Sequence, residues 1–154
     1  MLRAIAATGI LLTGILVASA PAYAASLEPL SYKEALSRFN ATGHDSPGVW
    51  LCGYSITDQH FTMREGMSTS LVEVDERFLY LRNNGEIVEL ETSDTGKRRL
   101  VYRSRNGDVR LTMKVLKQFN TSEYGESHDR QAEATLHTPH ATTRLFLLGR
   151  SCGV

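Results

Sequence analysis

Two hydrophobic rhythms divide this chain. Residues 10–17 form an apolar run, and from residue 49 onward apolar and polar positions alternate in short stretches. Alternation with period two predicts half-buried β-strands. The spacing predicts strands over residues 49–56, 70–75, 77–82, 86–92, 98–104, 108–118, 130–138 and 143–149, with a short edge piece at 61–64. Trp50, Cys52 and Tyr54 share one face of the first strand, and Val109, Leu111, Met113 and Val115 one face of the sixth. Asn84-Gly85 and Asn106-Gly107 read as hairpin turns, because Asn-Gly takes the positive φ angles of a type I′ turn. Residues 119–129 read as a polar loop, and Ala132, Ala134 and Leu136 line the inner face of the strand that follows.

One segment has helical spacing. Ser31-Tyr32-Lys33-Glu34 matches a capping box, Leu30, Ala35, Leu36 and Phe39 make an apolar stripe, and Gly43 ends the run. This helix is expected to pack on a sheet as a lid. Residues 43–48 (GHDSPG) form a turn-rich connector. The expected fold is mainly β, an antiparallel meander forming a small barrel or sandwich with one N-terminal helix.

The apolar run changes the picture of where this fold works. Arg3 precedes it, Pro21 breaks it, and Ala22-Tyr23-Ala24 follows with small-x-small spacing. Residues 1–24 therefore read as a cleaved signal peptide, leaving one secreted or periplasmic domain over residues 25–154. The run is shorter than the roughly 20 residues a membrane span needs. No Cys closes it, so no lipid tether is expected. Cys52 and Cys152 then meet an oxidising compartment and are expected to bridge. Such a bridge closes a loop of 100 residues, for which chain entropy gives about 4–5 kcal/mol.

Setting Arg3 aside with the signal leaves sixteen Lys and Arg against seventeen Asp and Glu. A near-neutral domain has no net attraction for nucleic acid or an anionic membrane surface. Lys97-Arg98-Arg99 reads as a solvated strand face or turn, with Glu89, Glu91 and Asp94 close by in sequence.

Candidate chemistry is sparse. His137-Thr138-Pro139-His140 could clamp a metal, but zinc needs three or four ligands and no third is near in sequence. No metal or other cofactor is expected. His44-Asp45-Ser46 holds the residue types of a hydrolytic triad, yet neighbours along a loop point apart, and the stretch makes a good turn. His128-Asp129-Arg130 reads as a loop end. Glu73 and Glu89 could form an acid/base pair, but alternating acids usually mark the wet face of a strand. Phosphate-loop and dinucleotide fingerprints are absent. Ser93, Gly96 and Tyr102 resemble the Ser-Gly-x-x-Tyr segment of the small secreted β-barrel inhibitors of c-type lysozyme. The Gly-to-Tyr spacing is longer here, basic residues fill it, and the N-terminal helix is extra, so no family is assigned.

Export, small size and the lack of a catalytic constellation point to a non-catalytic protein-binding domain, of inhibitor or immunity type. Its partner would be another envelope or extracellular protein. Its contacts would come from loops at residues 43–48, 93–97 and 119–129, where His44, Asp45, Ser46, Asp94, Lys97, Tyr124 and His128 stand. A small-ligand carrier is the alternative, and it requires an interior not filled by Trp50, Phe78, Tyr80 and Leu111. A hydrolase would require His44 or His128 to converge with Glu65 or Asp129 in one cleft.

Overall fold

Alternating strands joined by short turns build an antiparallel sheet, and eight of them suffice to close it on itself with side chains filling the interior. A computed structural model of the chain describes residues 27–44, 49–96 and 98–153. Residues 1–24, read above as a signal peptide, and the residues Asp45, Ser46 and Lys97 lie outside them. The elements are β1 (Leu27–Glu28), α1 (Tyr32–Ala41), β2 (Leu51–Thr57), β3 (Leu71–Val74), β4 (Phe78–Asn83), β5 (Glu86–Gly96), β6 (Arg99–Ser104), β7 (Arg110–Phe119), β8 (Ser127–His137) and β9 (Thr142–Gly153). From β2 to β9 each strand pairs antiparallel with the next, and β9 returns to pair with β2. The fold is thus an up-and-down barrel, not a sandwich. Cys52 on β2 and Cys152 on β9 stand at disulfide-bonding distance across this closing seam.

Inside the barrel lie Tyr54, Leu71, Leu79, Leu81, Leu90, Tyr102, Leu111, Met113, Ala132, Ala134, Leu136 and Leu147, all at most 2% exposed. A second core sits outside the wall, where Leu30, Ala35 and Phe39 of the helical segment cover Val72, Val74, Phe78 and Tyr80. The capping box forms as expected, with Ser31 Oγ accepting from Glu34 N–H and the Glu34 carboxylate accepting from Ser31 N–H. The helix covers the outer face of β3 and β4. Phe78 and Tyr80 therefore face outward beneath it, and do not fill the interior as alternation alone suggested. Leu111 does, and Trp50 packs against the interior core from its edge.

Three other expectations change. Residues 61–64 form no strand, because Asp58 accepts from the His60 and Thr62 amides and winds the segment into a turn. The Asn84-Gly85 turn forms with both φ positive, at 53° and 79°. At Asn106-Gly107 only the glycine has positive φ. There the Asn106 side chain accepts from Ser104 Oγ and donates to Asp108, closing a longer loop. Finally, β8 starts at Ser127 and β9 runs to Gly153, since their polar ends pair with each other across the seam side of the barrel.

Gly149 stands at a close approach inside the barrel. A β-carbon there would stand 2.7 Å from the Tyr54 ring and 2.8 Å from the Cys52 sulfur. Gly149→Ala is expected to cost about 1–3 kcal/mol through overpacking, read by urea denaturation in oxidising buffer. The double variant Cys52→Ala/Cys152→Ala is expected to lose about 4–5 kcal/mol in the same assay. A loss under 1 kcal/mol in either, on the order of ordinary surface changes, would contradict this account of the seam.

Candidate functional site: the barrel mouth

Among the described residues, strand pairing slips register at Leu51/Gly53, Thr92/Asp94, Val115/Lys117 and His128/Arg130. The up-and-down order puts all four slips at one end, where β2 and β8 begin and β5 and β7 finish. Bulges concentrate at barrel rims and re-aim side chains there. This end is the mouth.

Charged groups descend from the mouth into the interior. The inward series of β8 runs Leu136, Ala134, Ala132 and then Arg130, which is 6% exposed. On β3, Glu73 lies beneath Arg130 and is 1% exposed. Both carboxylate oxygens of Glu73 are occupied. Tyr102 donates to Oε1 at 2.6 Å and Tyr54 to Oε2 at 2.8 Å, with an Arg130 Nη at 3.4 Å from Oε2. The second Nη of Arg130 reaches Glu76 at 3.4 Å, and its Nε donates to His128 Nε2 at 2.7 Å. The Trp50 ring covers the guanidinium, with 4.8 Å from its carbon to the ring centre, a cation–π contact.

The environment sets each charge state. Burial raises the Glu73 carboxyl above its ordinary range, against the pull of Tyr102, Arg130 and Tyr54. Burial and the neighbouring carboxylate push the Tyr54 and Tyr102 phenols far up, so both remain donors. Burial works against the Arg130 cation, yet Tyr54, Glu73 and Glu76 outweigh it and raise its pKa. Burial and the Arg130 charge lower the His128 pKa. A neutral His128 is what the hydrogen bond requires, since its Nε2 is the acceptor.

A cavity of about 530 Å³ opens at this end, bounded by Glu73, Glu76, Arg98, Lys117, Gln118 and Arg130. Asp94 and Tyr124 are exposed, Tyr124 at 82%. The first expected loop, at residues 93–97, is not a loop over 93–96, which belong to β5 because they carry its pairing with β6 to the rim; there they meet the second, at residues 119–129, at the mouth. The second is shorter than expected, because residues 119 and 127–129 are in strands.

His44 belongs to a separate cluster on the outer wall. Its ring stacks on Phe78 with centres 3.9 Å apart, and its Nε2 lies 3.3 Å from Glu89 Oε1. Glu89 also accepts from Tyr80 at 2.8 Å and Thr42 at 3.1 Å. Burial raises the Glu89 carboxyl, but the bonds from Tyr80, His44 and Thr42 outweigh it and leave the pKa lowered. Glu73 and Glu89 thus do not face one another. Neither lies on a wet strand face, because the barrel encloses one and the helical segment shelters the other. His44 meets Glu89 and not Glu65, while Asp129 accepts from Asn120 and from the Ser151 amide. His137 bonds Thr142 across its turn. Among the described residues no group of three or more His, Cys, Asp or Glu could hold a metal ion.

Chemically, this arrangement holds a fixed ion pair more readily than it moves protons. A general base needs a free lone pair within reach of substrate, and those of Glu73 are engaged from three sides. Alternation pointed to Arg130 and His128, had the Ala132–Leu136 series been extended backwards. Glu73 carried no such signal, because all four residues of β3 are buried.

Glu73→Gln leaves Arg130 buried with only the exposed Glu76 as anion, and is expected to cost about 3–5 kcal/mol in chemical denaturation. An unchanged midpoint would show that the pair carries no such constraint. With its pKa held below the ordinary 6.5, His128 binds its proton more readily in the unfolded chain. Stability is therefore expected to fall as pH drops below 6.5, levelling off beneath the folded pKa. His128→Gln should flatten this limb, and an identical pH profile for both proteins would refute the assignment. In comparisons with known proteins, the chain matches no family model, no curated protein and no solved structure.

Proposed function

We propose that this is a non-catalytic protein-binding domain acting outside the cytoplasm, of inhibitor or immunity type, with the barrel mouth as its recognition surface. The carrying observation is that the interior is packed with side chains at most 6% exposed, while accessible space lies at the mouth and on the outer wall. A carrier of apolar ligands needs a hollow interior, so the packed core favours the binding reading. The engaged oxygens of Glu73 favour a scaffold role for the charged stack over a catalytic one. The disulfide across the seam suits an oxidising compartment. No helix among the described residues is long and apolar enough to cross a membrane.

Tyr124, on the mouth loop, is the aromatic most available to a partner. Exposed aromatics on rigid scaffolds are frequent anchors of protein interfaces. The domain, immobilised and offered secreted and envelope proteins, is expected to retain a stoichiometric partner. Tyr124→Ala is expected to weaken that complex about tenfold or more, whereas His140→Ala, at the opposite end, should leave it unchanged. Absence of a stoichiometric partner, an apolar molecule extracted from the purified domain, or a hydrolytic activity lost in His44→Ala would each overturn this reading.

A further inference from the structure

The charge balance of the chain hides an asymmetry that only the fold exposes. Residues 98–117, which span β6 and β7, contain Arg98, Arg99, Arg103, Arg105, Arg110, Lys114 and Lys117 against one acid, Asp108. All seven cations are exposed. None of them forms an ion pair with a described residue. Leu100, Tyr102, Leu111 and Met113 face the interior core, so Arg99, Arg103, Arg110 and Lys114 project from the outer wall.

Their register is the decisive feature. Arg99 pairs directly with Lys114, and Arg103 with Arg110. Like charges directly opposite one another on a sheet destabilise it, and this hairpin carries two such pairs on one face. The neighbouring acids are shared with other cations and relieve the pairs only in part. Glu91, opposite Arg103 on β5, accepts from Arg77, and Glu133, opposite Lys114 on β8, accepts from Arg144. The two like-charge pairs stand about 13 Å apart along the strands. Arg98 and Lys117 extend the row to the mouth, and Arg105 to the opposite end. A depression of about 410 Å³ lies beside its Arg99–Lys114 end, bounded by Arg98, Arg99, Thr112, Lys114, Arg144 and the one acid Glu133.

We infer that this row is a binding strip for one extended anionic glycan, a carboxylated or sulfated polysaccharide. A row one hairpin wide and about 23 Å long fits a single linear chain of anions. Among the described residues the exposed large apolar side chains are Tyr32, Met63, Leu116 and Tyr124; only Leu116, near the mouth end, adjoins the strip, which is otherwise cationic and polar. The strip offers no aromatic platform for nucleic-acid bases. A barrel wall is convex and would present few of these cations at once to a flat bilayer. The strip lies on the wall and adds a second surface to the mouth, so either assignment can fail alone.

The test uses the full exported domain with polygalacturonate and heparin oligosaccharides as probes and neutral dextran as control, read by titration calorimetry. Both acidic glycans should bind and dextran should not. Affinity should fall about tenfold or more between roughly 50 and roughly 200 mM salt, as counterion release demands. The variant Arg99→Gln/Arg103→Gln/Arg110→Gln/Lys114→Gln should lose binding at least about tenfold while its thermal midpoint rises, because the like-charge pairs are gone. Tyr124→Ala should bind the glycans normally. Failure of both acidic glycans to bind, or full binding by the fourfold variant, would overturn the inference. So would tighter binding of a single-stranded oligonucleotide, or of vesicles rich in anionic lipid, than of either glycan.

Discussion

Closure of the barrel between its first and last strands is the constraint on which the rest of this structure depends. An antiparallel meander has two free edges unless β2 and β9 meet, and closure alone removes them. The meeting strands are far apart in the chain, so the contact is entropically expensive to form. Cys52 and Cys152 offset that cost where the seam reaches the mouth. Gly149 lets the Cys52 sulfur and the Tyr54 ring occupy the same layer. Once the seam is shut, every interior position is shared by two or more strands, and a side chain such as Glu73 is 1% exposed and must find its partners within the barrel.

That confinement explains the charged stack. A carboxylate buried inside a closed barrel is costly unless it is hydrogen-bonded and paired. Tyr54, Tyr102 and Arg130 satisfy it from three strands, and Trp50 and His128 cover the guanidinium from above. The stack therefore couples β2, β3, β6 and β8 at the mouth, where four bulges loosen the regular ladder. Rigid side chains there provide a fixed base for the loops around the rim, and recognition by loops works best on such a base. The outer wall follows a different logic. Its β6–β7 face keeps cations side by side that have no ion-pair partner among the described residues, a loss of stability that the fold itself does not require.

Amino-acid pattern alone determined a good deal. The capping box at Ser31, the Asn84-Gly85 turn, the positions of the eight barrel strands and the inner faces of β7 and β8 all follow from interactions among residues near in sequence, for which spacing is a sufficient guide. Pairing of the two cysteines followed from their number and the predicted compartment. Tertiary structure decided what spacing cannot see. It chose barrel over sandwich, because closure depends on β2 meeting β9. It turned Phe78 and Tyr80 outward, because the helical segment makes the outer wall apolar there, and it buried Glu73 on the opposite face of β3 by closing the barrel, leaving β3 with no wet face. It drew the polar residues 127–129 and 150–153 into strands, because ladder hydrogen bonds need no apolar side chains. It also set Arg99 against Lys114 and Arg103 against Arg110. Net charge is a sum over the chain and carries no positions, whereas the field a partner meets depends on which charges the register places side by side.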